Sequence, residues 1–300
     1  MTIDRLNNEF GIGEQLRFVE GEGGFIYINI QNKYAQAVIS TFAGQVLSWH
    51  PFNEAHDVLF VSKKAFFESG KAIKGGIPIC WPWFGSDPEA KGRGSHGFVR
   101  NRQWQVISTQ ADDNGSNTSV TMQANISDVP EDIWPYQSEV KIHIEVSDKL
   151  KVMLSTRNTG QQIIPLTQAL HTYFRVNDIS RVSVSGFDQL NYIDTIDENS
   201  QKTQSGDVNF DSEVDRIYTG VSSNLIIEDD SLNRKINIQT QGSKSAIIWN
   251  PWLEKSKAMP DFGQEEYRQM LCVETANVAD DQVELKPGCL HQLSACYSLQ

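Results

Sequence analysis

The run VKIHIEVSDKLKVMLST, residues 140–156, decides the fold. Val140, Ile142, Ile144 and Val146 alternate with Lys141, His143 and Glu145, and a second alternating run starts at Leu150 after a break at Asp148-Lys149. A period of two puts successive side chains on opposite faces of a strand, one apolar and one wet, so the stretch predicts an antiparallel hairpin with His143 on its solvated face. The same pattern recurs in FIYINI (25–30), SVTMQANI (119–126), VSVSGF (182–187), KINIQT (235–240) and HQLSACYSL (291–299). Turn-forming breaks such as Asp113-Asn114-Gly115 and Asn158-Thr159-Gly160 separate these runs at hairpin-like intervals. Long amphipathic helical periodicity is nearly absent, and no fixed repeat, low-complexity tract or Pro/Gly/Ser linker divides the chain. The expectation is an all-β chain of antiparallel strands with few short helices, a single domain over 1–300 whose long loops carry the unusual residues.

Composition narrows the partners. With 26 Lys and Arg against 38 Asp and Glu the net charge is −12, which argues against nucleic acid or an anionic membrane surface as partner. An anionic ligand would need a local basic pocket. The N-terminal segment MTIDRLNNEFGIGEQLRFVE has no apolar signal-like core, and no apolar run reaches the ~18 residues of a membrane span. Cys80, Cys272, Cys289 and Cys296 show no paired metal spacing and read as reduced thiols. A cytoplasmic protein is expected.

Five places depart from plain strand patterning. MLCVETANV (270–278) sets Glu274 inside an otherwise apolar or small-residue strand. A carboxylate there is either paired or has its pKa driven up toward general-base work. KGGIPICWPWFG (74–85) offers Gly75-Gly76, at which backbone can approach a ligand, and Trp81 and Trp83, whose faces suit sugar C–H patches or else plug one end of a sandwich. SHGFVRNRQW (95–104) brings His96, Arg100, Asn101 and Arg102 together, and in a strand the two guanidinium groups would share a face and suit a phosphate or carboxylate, or else be solvated or paired with the protein's own carboxylates as surface arginines usually are. ALHTYFRV (169–176) places His171 among strand formers, as a hydrogen-bonded core residue or as a proton carrier. VDRIYTG (214–220) carries Asp215, either a turn-initiating aspartate or an acceptor for sugar hydroxyls. His50, His56 and His291 have no suggestive company.

Taken together, GGIPICWPWFG, HGFVRNRQW, ALHTYFRV, DRIY and ETANV, in this order and spacing from about residue 20 to the C-terminus, resemble the hexose-6-phosphate mutarotases (glucose-6-phosphate 1-epimerases) of the aldose 1-epimerase-like superfamily. The resemblance implies a galactose-mutarotase-like β-supersandwich acting as a monomer on a small-molecule sugar phosphate, with no metal or organic cofactor. It implies His171 and Glu274 as the catalytic pair, Lys74 and Arg100 as the phosphate holders, Asp215 as a ligand of sugar hydroxyls, and His96 and Trp81 as further substrate contacts. The family usually carries Arg where this chain has Lys74, a point charge without a bidentate fork, and some relatives carry a longer amide where this chain has Ser95. Two other functions fit parts of the pattern. A carbohydrate- or sugar-phosphate-binding protein without turnover would not need both His171 and Glu274. An inverting glycoside hydrolase would use two carboxylates such as Asp215 and Glu274 roughly 6.5–9.5 Å apart.

Overall fold

The structure, a computed structural model, describes residues 2–300. Among them the α-helices are Ile3–Phe10 and Trp252–Ala258, and the chain is otherwise built from antiparallel strands. The hairpin read from the sequence is formed by Ser138–Val146 and Leu150–Asn158, with Val146 opposite Leu150 and buried residues alternating with partly exposed ones. It lies within a nine-stranded sheet that runs from Val208–Asn209 at one edge to Trp104–Ala111 at the other. His143 is on the outer face, bonded to Thr121 and Glu145.

A second sheet, of eight strands, carries Asn191–Asp194, Val214–Thr219, Ser245–Asn250, Met270–Asn277, Gln168–Leu170 and Ile79–Cys80 side by side. A four-stranded sheet over Leu16–Pro51 completes the large framework. One apolar cluster joins all of these in a continuous core.

Met270–Asn277 and Ser245–Asn250 are buried at every position, unlike the hairpin strands. Both of their faces are covered, so they read as apolar runs rather than alternations. The neighbouring segment 171–174 shows what covers each face. Thr172 and Phe174 point to the nine-stranded sheet, where Thr172 Oγ1 lies 2.6 Å from Tyr297 Oη and the Phe174 ring meets Tyr297 edge-on at 5.4 Å. His171 and Tyr173 point the other way, into a cavity roofed by loops.

Candidate functional site

Pairing register assembles the cavity floor. Residues directly opposite in an antiparallel ladder share a face. Glu274 is opposite Ile247, Ile247 opposite Ile217, and Ile217 opposite Ile193, while Cys272 is opposite Trp249 and Trp249 opposite Asp215. On the other side, Leu170 pairs with Thr275 and Tyr173 with Cys272. The register is unbroken across the gap between these pairs, so His171 falls directly opposite Glu274. Nε2 of His171 is 3.4 Å from Oε1 of Glu274.

Of these, His171, Tyr173, Asp215, Trp249, Glu274 and the three isoleucines line one pocket of about 820 Å³ with Lys74, Ser95, His96, Arg100, Thr195, Asn199, Gln201 and Lys255. Six of the seven residues expected at a site therefore converge: His171, Glu274, Lys74, His96, Arg100 and Asp215. Asp215 lies within the strand Val214–Thr219 rather than at a turn.

Trp81 is the exception. It is fully buried, its indole N–H donates to Thr156 Oγ1 at 3.0 Å, and its ring packs against Trp134 and Phe98 in the core. The loop thus uses Trp81 as the apolar plug and not as a sugar platform. Trp83 is also covered, with the Arg93 guanidinium 4.4 Å over its ring. The aromatic wall comes instead from Tyr173, stacked on His171 at 4.8 Å, and from Trp249, edge-on to His171 at 6.1 Å. Trp81→Phe should lower unfolding free energy by about 2–4 kcal/mol, through lost volume and an unpaired Thr156 hydroxyl, and leave KM unchanged. Urea unfolding beside steady-state kinetics checks both halves.

Two other expectations change. Gly75 and Gly76, at φ 128° and 61°, are not part of the pocket lining. A Cβ would strike Val61 Cα at 2.4 Å from Gly75 and Val46 carbonyl oxygen at 2.1 Å from Gly76, so these glycines seat their loop on neighbouring backbone. Nor do Arg100 and Arg102 share a strand face: residues Val99–Asn101 form a short 3₁₀ turn, and Arg102 turns away to pair with Asp128 at 2.7 Å.

Three of the pocket's polar groups are held in place by neighbours. The amide of buried Gln45 donates to the carbonyls of Ile73 and Gly75, on either side of Lys74, and Lys74 Nζ rests 3.4 Å from Asp261. The Arg100 guanidinium donates to the Ser95 carbonyl at 3.0 Å, so Ser95 orients Arg100 while its Nε has no partner. His96, at φ 61°, accepts the Gly85 N–H on Nδ1, which places its proton on Nε2. Burial, with the charges of Arg100 and Lys74, pushes the His96 pKa down to about 3.

The central pair is shifted in opposite directions. Burial, then the negative charge of Asp215, drives the Glu274 carboxyl well above the usual carboxylate range, against an opposing pull from Arg100. Burial, then His96, Arg100 and Lys74, holds His171 well below an ordinary imidazole. Glu274 Oε2 and His171 Nδ1 have no partner inside the protein, although both groups are almost wholly buried. Unpartnered buried polar atoms facing a cavity fit a site that a polar ligand completes.

Sequence reasoning missed Trp249, Tyr173, Thr195, Asn199, Gln201, Lys255 and Asp261. Tyr173 was accessible in principle, two positions from His171 on the same strand face. The others enter only through pairing register or loop placement.

The family model described as aldose 1-epimerase matches residues 27–298. A protein of Cenchrus ciliaris named "Putative glucose-6-phosphate 1-epimerase" is 37% identical over 266 residues, covering 84% of this chain and 78% of its own. One of the same name from Escherichia coli is 31% identical, over 88% of this chain and 87% of its own. A crystal structure of a "putative mutarotase" from Salmonella typhimurium superposes with a TM-score of 0.89 at 27% identity, covering 97% of this chain and 95% of the other.

Proposed function

The chain belongs to the aldose 1-epimerase family, and from that premise we propose that it interconverts the α and β anomers of a hexose 6-phosphate, with glucose 6-phosphate as the expected substrate. The observation that carries this reading is the His171–Glu274 pair, 3.4 Å apart on the floor of a pocket whose rim supplies Lys74 and Arg100.

Exchanging anomers requires opening the hemiacetal and closing it on the other face, which takes one base and one acid and no net change in protonation. Glu274 removes the proton of the C1 hydroxyl, and protonated His171 delivers one to the ring oxygen. After rotation about C1–C2 the two exchange roles and the ring closes.

The opposed shifts of the pair bear on how it is armed. In the empty pocket burial disfavours the charge-separated form, so the proton rests on the carboxyl side. A phosphate dianion at Lys74 and Arg100 offsets the cationic field that depresses His171 and favours moving the proton to the imidazole. Substrate would thereby help to create the carboxylate and imidazolium that its own reaction needs. The pair then works with a single proton, and its pH profile is expected to be bell-shaped. Rate falls on the acid side, below pH 6.5, as the depressed imidazole takes up a second proton, and on the alkaline side, above the ordinary carboxylate range, as the raised carboxyl loses the last one. A kcat/KM that keeps climbing to the alkaline limit of the protein's stability would reject the pair.

The deciding experiment follows the optical rotation, or anomeric NMR exchange, of freshly dissolved α-glucose 6-phosphate with and without the protein, with free glucose alongside. Acceleration of the phosphorylated sugar alone supports the reading. Acceleration of both would mean Lys74 recognises phosphate loosely, and acceleration of neither would leave a sugar-phosphate-binding protein.

A further inference from the structure

The pocket has two charged poles, and of the second the sequence motifs name only Asp215. At the first, Lys74 and Arg100 both act on His96 and His171. At the second, Lys255 reaches in from the helix Trp252–Ala258, with Nζ 2.9 Å from Glu213 Oε1 and 3.6 Å from Asp215 Oδ2. Lys255 lines the same cavity as Glu274, and 41% of its side chain remains exposed.

The two contacts of Lys255 differ in kind. The bond to Glu213 has the length of a charge-assisted hydrogen bond, whereas 3.6 Å to Asp215 is an ion pair with width to spare. An ammonium only donates and a carboxylate only accepts, so side by side they suit a group that does both at once. A sugar hydroxyl is such a group: it can donate to Asp215 while accepting from Lys255. Glu213 takes one of the three lysine donors and fixes the head group, leaving others for Asp215 and a ligand. A ring hydroxyl of the opposite configuration would aim its oxygen elsewhere and leave a partly desolvated charge pair unsatisfied, the situation in which a polar site discriminates most strongly.

We propose that Lys255 is a specificity-determining residue which, with Asp215, reads one hydroxyl on the ring edge away from the phosphate and so selects among hexose 6-phosphates epimeric at that carbon. This rests on the substrate class proposed above.

The test is equilibrium binding, by calorimetry, of three sugars that cannot turn over: 1,5-anhydroglucitol 6-phosphate and its epimers at C2 and C3. Each is measured with wild type, Lys255→Met and Lys255→Arg. Wild type should separate the three sugars. Lys255→Met should bind the preferred one about tenfold more weakly and compress the differences among them, the loss expected for one charged hydrogen bond at a partly exposed site. Lys255→Arg should restore much of both, and the affinity for inorganic phosphate should be the same in all three proteins. Equal binding of the three sugars by wild type, or an equal loss for all three in Lys255→Met, overturns the assignment. A wild type that binds and discriminates but does not accelerate mutarotation removes the catalytic reading and leaves Lys255 in its role. A wild type that binds none of the three removes both.

Discussion

Glu274→Gln should fold normally and lose about three orders of magnitude in kcat for α-glucose 6-phosphate, with KM moving far less. A positioned general base contributes roughly 10² to 10⁴ in rate, and the amide keeps the shape of the carboxyl while removing its basicity. Glu274 is 2% exposed and opposite His171 in the ladder, with no second carboxylate at that position to substitute for it. The same variant should be more stable than wild type above neutral pH. The folded-state pKa of Glu274 is raised, so its carboxyl is tolerated without penalty below the unfolded carboxylate range, and stability is lost as pH rises through the folded value. Gln has no charge to bury and escapes that loss. Melting temperatures of the two proteins should coincide near pH 4 and diverge in favour of Gln at alkaline pH. Near-wild-type turnover in a folded Glu274→Gln would sink the assignment of the base.

Arg100→Ala should raise KM for glucose 6-phosphate by about ten- to hundredfold and leave the slower reaction of free glucose almost untouched. A hydrogen bond to a charged group is worth about 1.5–3 kcal/mol, and a guanidinium can meet two phosphate oxygens at once. Ser95 holds one arm of Arg100 while Nε is unpartnered, so the fork is oriented before any ligand arrives. Lys74→Ala should cost less, because Lys74 is a point charge partly offset by Asp261. Parallel progress curves for the phosphorylated and free sugars read the difference directly, and equal KM changes for both would reject a phosphate role for Arg100.

The fold was legible because a two-residue period survives wherever one strand face is wet, as at 140–156. It was less legible at Met270–Asn277 and Ser245–Asn250, which are covered on both sides and lose the alternation. The site was legible where chemistry forces an odd residue into a strand. Glu274 and His171 stand out against their neighbours, although nothing in the sequence says that they face each other, since that follows from a register set over more than a hundred residues of separation. Trp81 misled for a physical reason. An indole is equally suited to a sugar face and to a core, and only the Thr156 hydroxyl waiting for its N–H decides between them. Arg100 and Arg102 misled because a 3₁₀ turn, unlike a strand, sends them apart. Lys255 and Asp261 fall in the stretch 249–278, whose two Trp, two Pro and dense polar groups mark it as more than a plain connection, but nothing there sets them apart from the other charges on and after a short helix.

The division of the pocket between sheet and loops has a consequence for divergence. His171, Glu274, Trp249 and Asp215 stand on or beside adjacent strands whose positions are locked by the ladder, whereas Lys74, Arg100 and Lys255 project from connecting segments. On the proposed roles, proton transfer is anchored to the part of the molecule least able to change, and phosphate recognition to the part that tolerates replacement. A descendant lineage could exchange one sugar for another by rewriting a few connecting residues while inheriting the reaction intact.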